Sequence, residues 1–89
     1  MAVRAAYDIG EKSAVRIGGR LRVPDGLTEE VLSEVKNVKS LSYTRQLRDY
    51  ADFAAQTGRR FDLYVRSSTR LSGPLRAARD AGLINIIPF

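Results

Sequence analysis

The sequence predicts an α/β (α+β) domain with a mixed central sheet flanked by helices. Three extended segments come first, at residues 13–17, 20–25 and 31–38. A helix, a strand, a second helix and a last strand follow. Strands joined through helices need crossover connections, which favour a mixed sheet with helices packed on it. The 89 residues fit one domain, residues 1–89, with a thin core.

Local composition justifies the first elements. Residues 2–8 are compatible with a short leading helix, and Gly18-Gly19 marks the turn between the first two strands. The polar residues 28–30 mark a hairpin turn before the third strand. That strand is rich in β-branched residues, which predicts that it is the central one.

The longest helix is predicted to run to Thr57, with Ser40 or Ser42 as its N-cap and Gly58 as the residue that ends it. Its apolar side chains recur at helical spacing, at Tyr43, Leu47, Tyr50, Ala51 and Ala54.

The remaining elements alternate in type. Residues 61–66 read as a strand and residues 67–73 as a loop. Pro74 fits the first turn of a helix that ends at Ala81, and residues 83–87 form the last, apolar strand. The predicted order is therefore β-β-β-α-β-α-β.

The net charge and the absence of Cys and His limit the partners and reactions that are open to this chain. The net charge is +5 and 12 of the 15 basic residues are Arg, whose planar fork matches phosphate. This suggests a polyanionic partner such as nucleic acid, and it fits a protein with an incidental positive bias equally well. The chain contains no Cys and no His. Disulfides, thiolate or imidazole metal sites and a Ser-His-Asp triad are therefore excluded. Any chemistry must come from carboxylates, Lys, Tyr, Ser or Thr side chains, or from a bound hard cation.

The sequence predicts neither a membrane-spanning segment nor a signal peptide. No apolar run approaches the about 20 residues of a membrane span, and the start lacks a signal-peptide pattern. The sequence fits either a whole small protein or a domain trimmed at its N-terminus from a larger chain.

Three charged residues are predicted to converge on one surface. Glu34 and Lys36 are two apart on the central strand, so they share a face while Val35 takes the other. If the hairpin turn centres between Glu29 and Glu30, Asp25 lies directly opposite Glu34. A bulge at the glycine after Asp25 would shift this register by one residue.

Two facing carboxylates repel each other unless one is protonated or a cation lies between them. A divalent ion held by Asp25, Glu34 and the backbone carbonyl of Val35 would polarise a phosphate, and Lys36 would orient water or neutralise developing charge. The alternative is an exposed hairpin face on which these charges have no catalytic role.

These residues resemble a known superfamily. Val23-Pro24-Asp25, Glu34-Val35-Lys36 and the pair Gln46 and Tyr50 are similar to the PD-(D/E)XK nucleases, the last pair to their helicase-nuclease branch. The longer run 31–50, with 61–66 and 71–75, resembles the restriction-endonuclease-fold (Tox-REase) domains at the C-termini of bacterial polymorphic toxins.

The resemblance covers about residues 15–89 and carries several implications. It implies an αβββαβ core, cleavage of phosphodiesters with Mg²⁺ or Mn²⁺, and a cognate immunity protein. It also implies secretion or injection by a producing bacterium, with action in the cytoplasm of the target cell.

By the resemblance, Asp25 and Glu34 correspond to metal ligands of the superfamily and Lys36 corresponds to its catalytic lysine. Gln46 and Tyr50 become supporting residues, and their spacing of four places them on one helix face. The superfamily often has a further acid on a leading helix. Here only Asp8 and Glu11 are available and neither matches, so a third acidic ligand is left open.

Four arginines are the candidates for binding the nucleic-acid backbone, although each of them also fits a merely solvated basic surface: Arg45, Arg48, Arg66 and Arg70. A DNase toxin is the preferred interpretation. An RNase toxin of the same fold, a non-catalytic nucleic-acid-binding module and a protein-interaction domain remain alternatives, and the oligomeric state is left open.

Overall fold

The computed structural model describes residues 9–89, which contain eight strands and two helices. In chain order the elements are β1 (Val15–Ile17), β2 (Arg20–Arg22), β3 (Gly26–Leu27), β4 (Val31–Lys36), β5 (Ser40–Leu41), α1 (Arg45–Thr57), β6 (Arg60–Val65), β7 (Arg70–Leu71), α2 (Gly73–Asp80) and β8 (Asn85–Pro88). The predicted leading helix at residues 2–8 lies outside the described residues.

The central sheet has the strand order β3-β4-β6-β8 and is mixed, as predicted. β3 runs antiparallel to β4, whereas β4, β6 and β8 run parallel through crossovers that contain α1 and α2. Two smaller ribbons stand beside this sheet, β1-β2 antiparallel and β5-β7 parallel.

The predicted hairpin register is confirmed, but the predicted strand at residues 20–25 is wrong as a single element. Gly26 lies opposite Ser33 and Leu27 opposite Leu32, which brings residue 25 level with residue 34. β2 ends at Arg22 and pairs with β1 instead. The break follows from Pro24, which has no amide hydrogen for a ladder and restricts the residue before it.

The first helix ends as expected but begins later. Thr44, not Ser40 or Ser42, is the N-cap, and its hydroxyl accepts a hydrogen bond of 3.2 Å from the Leu47 amide. Gly58 adopts a left-handed conformation with φ of 69° and donates its N–H to the Ala54 carbonyl, a common way to end a helix.

The C-terminal elements shift by a few residues. The predicted loop at residues 67–73 contains β7, which pairs with β5, and both strands are only two residues long. Ser72 caps α2 by accepting from the Leu75 amide at 3.2 Å, so the helix begins at Gly73. Residues 81–84 connect α2 to β8, which begins at Asn85, two residues later than the predicted strand.

Both helices pack on one face of the central sheet. Leu32 and Leu63 from the sheet are fully buried there against Leu47 of α1 and Leu75 of α2. Alternation along β4 places Glu34 and Lys36 on the face of Leu32, at the end of the strand nearest the start of α1. Among residues 9–89, no helix is long and apolar enough to span a membrane.

Candidate active site

Asp25 and Glu34 face each other across the β3-β4 hairpin. The backbone amide of Asp25 donates to Glu34 Oε1 at 3.1 Å, and the amide of Val35 donates to Asp25 Oδ2 at 2.8 Å. Glu34 is only 5% exposed. Each carboxylate is thus held by the backbone beside the other acid, which fixes their separation.

Lys36 joins this pair to the first helix. Its Nζ lies 3.4 Å from Glu34 Oε2 and donates a hydrogen bond of 2.7 Å to Gln46 Oε1. The chain reaches this geometry because β4 alternates and α1 crosses over its end. The structure therefore brings together four predicted residues, Asp25, Glu34, Lys36 and Gln46.

Tyr50 follows Gln46 by one helical turn and lies close enough to Glu34 and Asp25 for their charges to act on its hydroxyl. Its side chain is fully buried and meets the Phe61 ring edge to face, with centroids 5.9 Å apart. Its hydroxyl has no well-formed hydrogen bond within the described part of the chain. Burial and the nearby charge of Glu34 raise the pKa of Tyr50 to about 12, so the hydroxyl keeps its proton at neutral pH.

The positive charge of Lys36 does not offset the burial of Glu34 beside Asp25. Burial, and then the charge of Asp25, raise the pKa of Glu34 to about 7, against the opposing influence of Lys36. A carboxylate so placed is stabilised when a cation joins it.

The donor set fits a hard divalent cation held by two carboxylates, with further oxygens from backbone or water. Among residues 9–89, no group of three or more acidic side chains could hold a metal ion. Asp8 lies outside the described residues, and Glu11 is exposed, its carbonyl accepting from the Leu27 amide at 3.1 Å. A ligand role for the Val35 carbonyl stays a prediction.

Sequence reasoning missed a second lysine at the site. Lys12 Nζ lies 3.7 Å from Asp25 Oδ1, and its side chain is 66% exposed. No local pattern indicated this contact, because Lys12 precedes β1 and only the fold brings it to Asp25.

The four predicted phosphate-binding arginines lie at the same end of the parallel strands as Lys36, and all are exposed. Arg45 and Arg48 belong to the first turn of α1. Arg66 directly follows Val65, the partner of Lys36 in the sheet. The fourth belongs to β7 and is Arg70.

Some of these guanidinium groups are held in place. Arg48 lies 4.4 Å from the centre of the Tyr43 ring, and Arg66 lies 4.4 Å from that of Phe89. Such stacking orients the planar group and leaves its edge available to an anion.

A buried ion-pair network beside the site was also missed by sequence reasoning. Asp49 of α1 is 4% exposed and binds Arg20 and Arg22 of β2. Opposite charges 27 and 29 residues apart carry no local signal of their pairing.

Comparison with known proteins agrees with this architecture. The family model described as restriction endonuclease fold toxin 7 matches residues 2–75, most of the chain. Searches of curated proteins and of solved structures gave no significant match. The mixed sheet with its two helices is consistent with a restriction-endonuclease-like fold. The chain therefore belongs to the restriction endonuclease fold toxin 7 family, a membership that indicates a nuclease toxin of the PD-(D/E)XK type.

Proposed function

We propose that this chain is a metal-dependent endonuclease domain, a DNase, that acts as an antibacterial toxin. The observation that carries the proposal is the convergence of two carboxylates and an ammonium group on one side of the β3-β4 hairpin. Asp25, Glu34 and Lys36 are joined there by contacts of 2.8 to 3.4 Å. Family membership independently supports a nucleic-acid substrate.

Asp25 and Glu34 are the proposed ligands of Mg²⁺ or Mn²⁺, with the Val35 carbonyl as a third oxygen. When bound, such a cation polarises a phosphate oxygen and makes a water molecule more acidic. The two acids suit this task because the backbone holds each in place and their oxygens are the donors that hard cations prefer.

Lys36 is proposed to neutralise the negative charge that grows on the phosphate during hydrolysis. Gln46 holds the ammonium group through a bond of 2.7 Å, so it keeps one orientation before substrate arrives. A donor fixed in advance needs little reorganisation in the transition state. Tyr50, with its retained proton, closes the site from the helix side.

The exposed arginines at this end of the sheet are proposed to hold the nucleic-acid backbone. Arg45, Arg48, Arg66 and Arg70 would each neutralise a phosphate and release a counterion, so binding weakens as salt rises. Their contacts carry no base information, and this surface suits DNA or RNA.

Delivery and protection complete the proposal. We infer that residues 1–89 act as one nuclease domain, secreted or injected by the producing bacterium and active in the cytoplasm of the target cell. A cognate immunity protein would protect the producer. Toxin family membership supports the role of a secreted effector.

A cleavage assay tests the function. Supercoiled plasmid and total RNA are each incubated with the protein in Mg²⁺ or in EDTA. We expect nicking of plasmid in Mg²⁺ alone and a loss of at least about 100-fold in Glu34→Gln and in Lys36→Ala, because each removes a charge used in the transition state.

The matched control is Arg76→Ala, which removes an exposed charge from α2. It should cleave like the wild type. RNA degradation with intact plasmid would select the RNase alternative. Binding without any cleavage product, or cleavage that persists in Glu34→Gln, would contradict the proposal.

A further inference from the structure

Asp49 holds two arginines of β2 in different ways. Arg20 donates from Nε to Oδ2 at 2.8 Å and from Nη2 to Oδ1 at 2.6 Å, and its Nη1 lies 3.4 Å from the Gly18 carbonyl. Arg22 donates only from Nε, to Oδ2 at 3.1 Å. One buried carboxylate thus carries two guanidinium groups, and the cluster keeps a net positive charge.

The two Nη groups of Arg22 are not used in the contact with Asp49. Neither of its Nη atoms has a hydrogen bond within residues 9–89, although the side chain is only 23% exposed. Arg20 uses all three of its nitrogens and already anchors β2 to α1. Anchoring accounts for the Nε contact of Arg22 but not for its two Nη groups, which are donors suited to an anionic ligand.

Arg22 lies beside the proposed catalytic residues. It precedes Asp25 by three residues, and its partner Asp49 follows Gln46 by three on α1, which places both helix residues on one side. The charges of Arg22, Asp25 and Glu34 all act on the Tyr50 hydroxyl. Arg22 nevertheless forms no ion pair with either catalytic acid within the described residues.

We propose that the Nη edge of Arg22 is a phosphate-binding subsite that holds a backbone phosphate of the nucleic-acid substrate beside the cleavage point. The inference rests on the proposed nuclease function. A guanidinium edge matches two oxygens of one phosphate. Asp49 acts as the positioning residue, because a guanidinium fixed before binding loses less entropy when the phosphate arrives.

Binding in the absence of cleavage tests the subsite. Short fluorescein-labelled DNA and RNA duplexes are titrated with protein in EDTA, and anisotropy is followed over a range of NaCl concentrations. Arg22→Gln should weaken binding about tenfold and reduce the salt slope by about 0.9, which corresponds to one phosphate contact. Arg22→Lys, which keeps the charge without the fork, should restore only part of the affinity.

Arg20→Gln is the matched control, because it removes the same charge from the same strand and also takes a partner from Asp49. It should lower Tm more than Arg22→Gln does, since it loses two contacts to the carboxylate. Its salt slope should stay that of the wild type.

Asp49→Asn tests the positioning role. We expect KM to rise about tenfold with kcat little changed, because the phosphate contact is weakened and the reacting groups are intact. A purely structural role would lower Tm and leave KM unchanged at temperatures where the variant is folded.

Some results would overturn the inference. These are wild-type affinity and slope in Arg22→Gln, an equal loss in both arginine variants, or no binding of either duplex by the wild type. Failure of the nuclease function is seen separately, as intact plasmid and intact RNA in Mg²⁺. Normal cleavage with unchanged binding in Arg22→Gln would defeat the subsite alone.

Discussion

Glu34→Gln should stabilise the metal-free protein at alkaline pH while it abolishes cleavage. The Glu34 carboxyl is buried beside Asp25, and these two influences raise its pKa from 4.5 to about 7. In EDTA, the negative charge of ionised Glu34 therefore lowers the stability of the native state. Glutamine has a similar shape, keeps an acceptor for the Asp25 amide and carries no charge.

The direction and size of this stability change follow from the linkage between proton binding and folding. The unfolded chain releases the Glu34 proton near pH 4.5 and the native state near pH 7, so between these values the native state binds more protons and stability falls as pH rises. The full loss is about 3 kcal/mol, because each tenfold change in an acid constant is worth about 1.4 kcal/mol. The variant also loses its contact with Lys36, so a net gain of about 1–3 kcal/mol is expected.

Urea unfolding in EDTA, repeated from about pH 5 to about pH 8, measures this effect. The wild type should lose stability across the window and the variant should not. Asp52→Asn is the control, because it neutralises an exposed carboxylate of α1 outside the site. Parallel pH profiles for the wild type and Glu34→Gln would refute the reasoning.

Three further outcomes test the fold. Gly26→Ala should destabilise the protein by about 2 kcal/mol or more, because the added Cβ would collide with the Ile9 backbone, and a thermal melt measures the loss. Leu63→Ala should cost about 2–5 kcal/mol in urea unfolding, since the side chain is fully buried. The arginines lower the pKa of Asp49 to about 2, so the stability that this carboxylate contributes is lost as pH falls from 3.8 toward 2. An acid titration followed by circular dichroism should show this transition weakened in Asp49→Asn, and an unchanged titration would contradict it.

The hairpin that carries the site was predictable because period-2 alternation and a symmetric turn determine which residues face each other. Residues 25 and 34 came level as expected, although β3 is only two residues long. Glu34 and Lys36 shared a face for the same reason. Gln46 reached Lys36 because a helix that follows a strand packs back across it.

Other features depend on tertiary contacts that no local pattern encodes. Ser40 and Ser42 are as suited to capping as Thr44, but pairing of β5 with β7 commits Ser40 to a strand. In the sequence, Asp49 has the pattern of an ordinary exposed helix residue. Only the fold places Arg20 and Arg22 of β2 against it. The contact of Lys12 with Asp25 likewise arises only when the segment before β1 folds against the hairpin.

A carbon-13 NMR titration of the Glu34 carboxyl, with and without Mg²⁺, tests most directly whether the two acids form a metal site. We predict a pKa near 7 in EDTA, because burial and the charge of Asp25 favour the protonated acid, and a pKa well below that value when Mg²⁺ is saturating, because the cation favours the ionised form. A Glu34 carboxyl that titrates near its ordinary 4.5 and ignores Mg²⁺ would contradict the account.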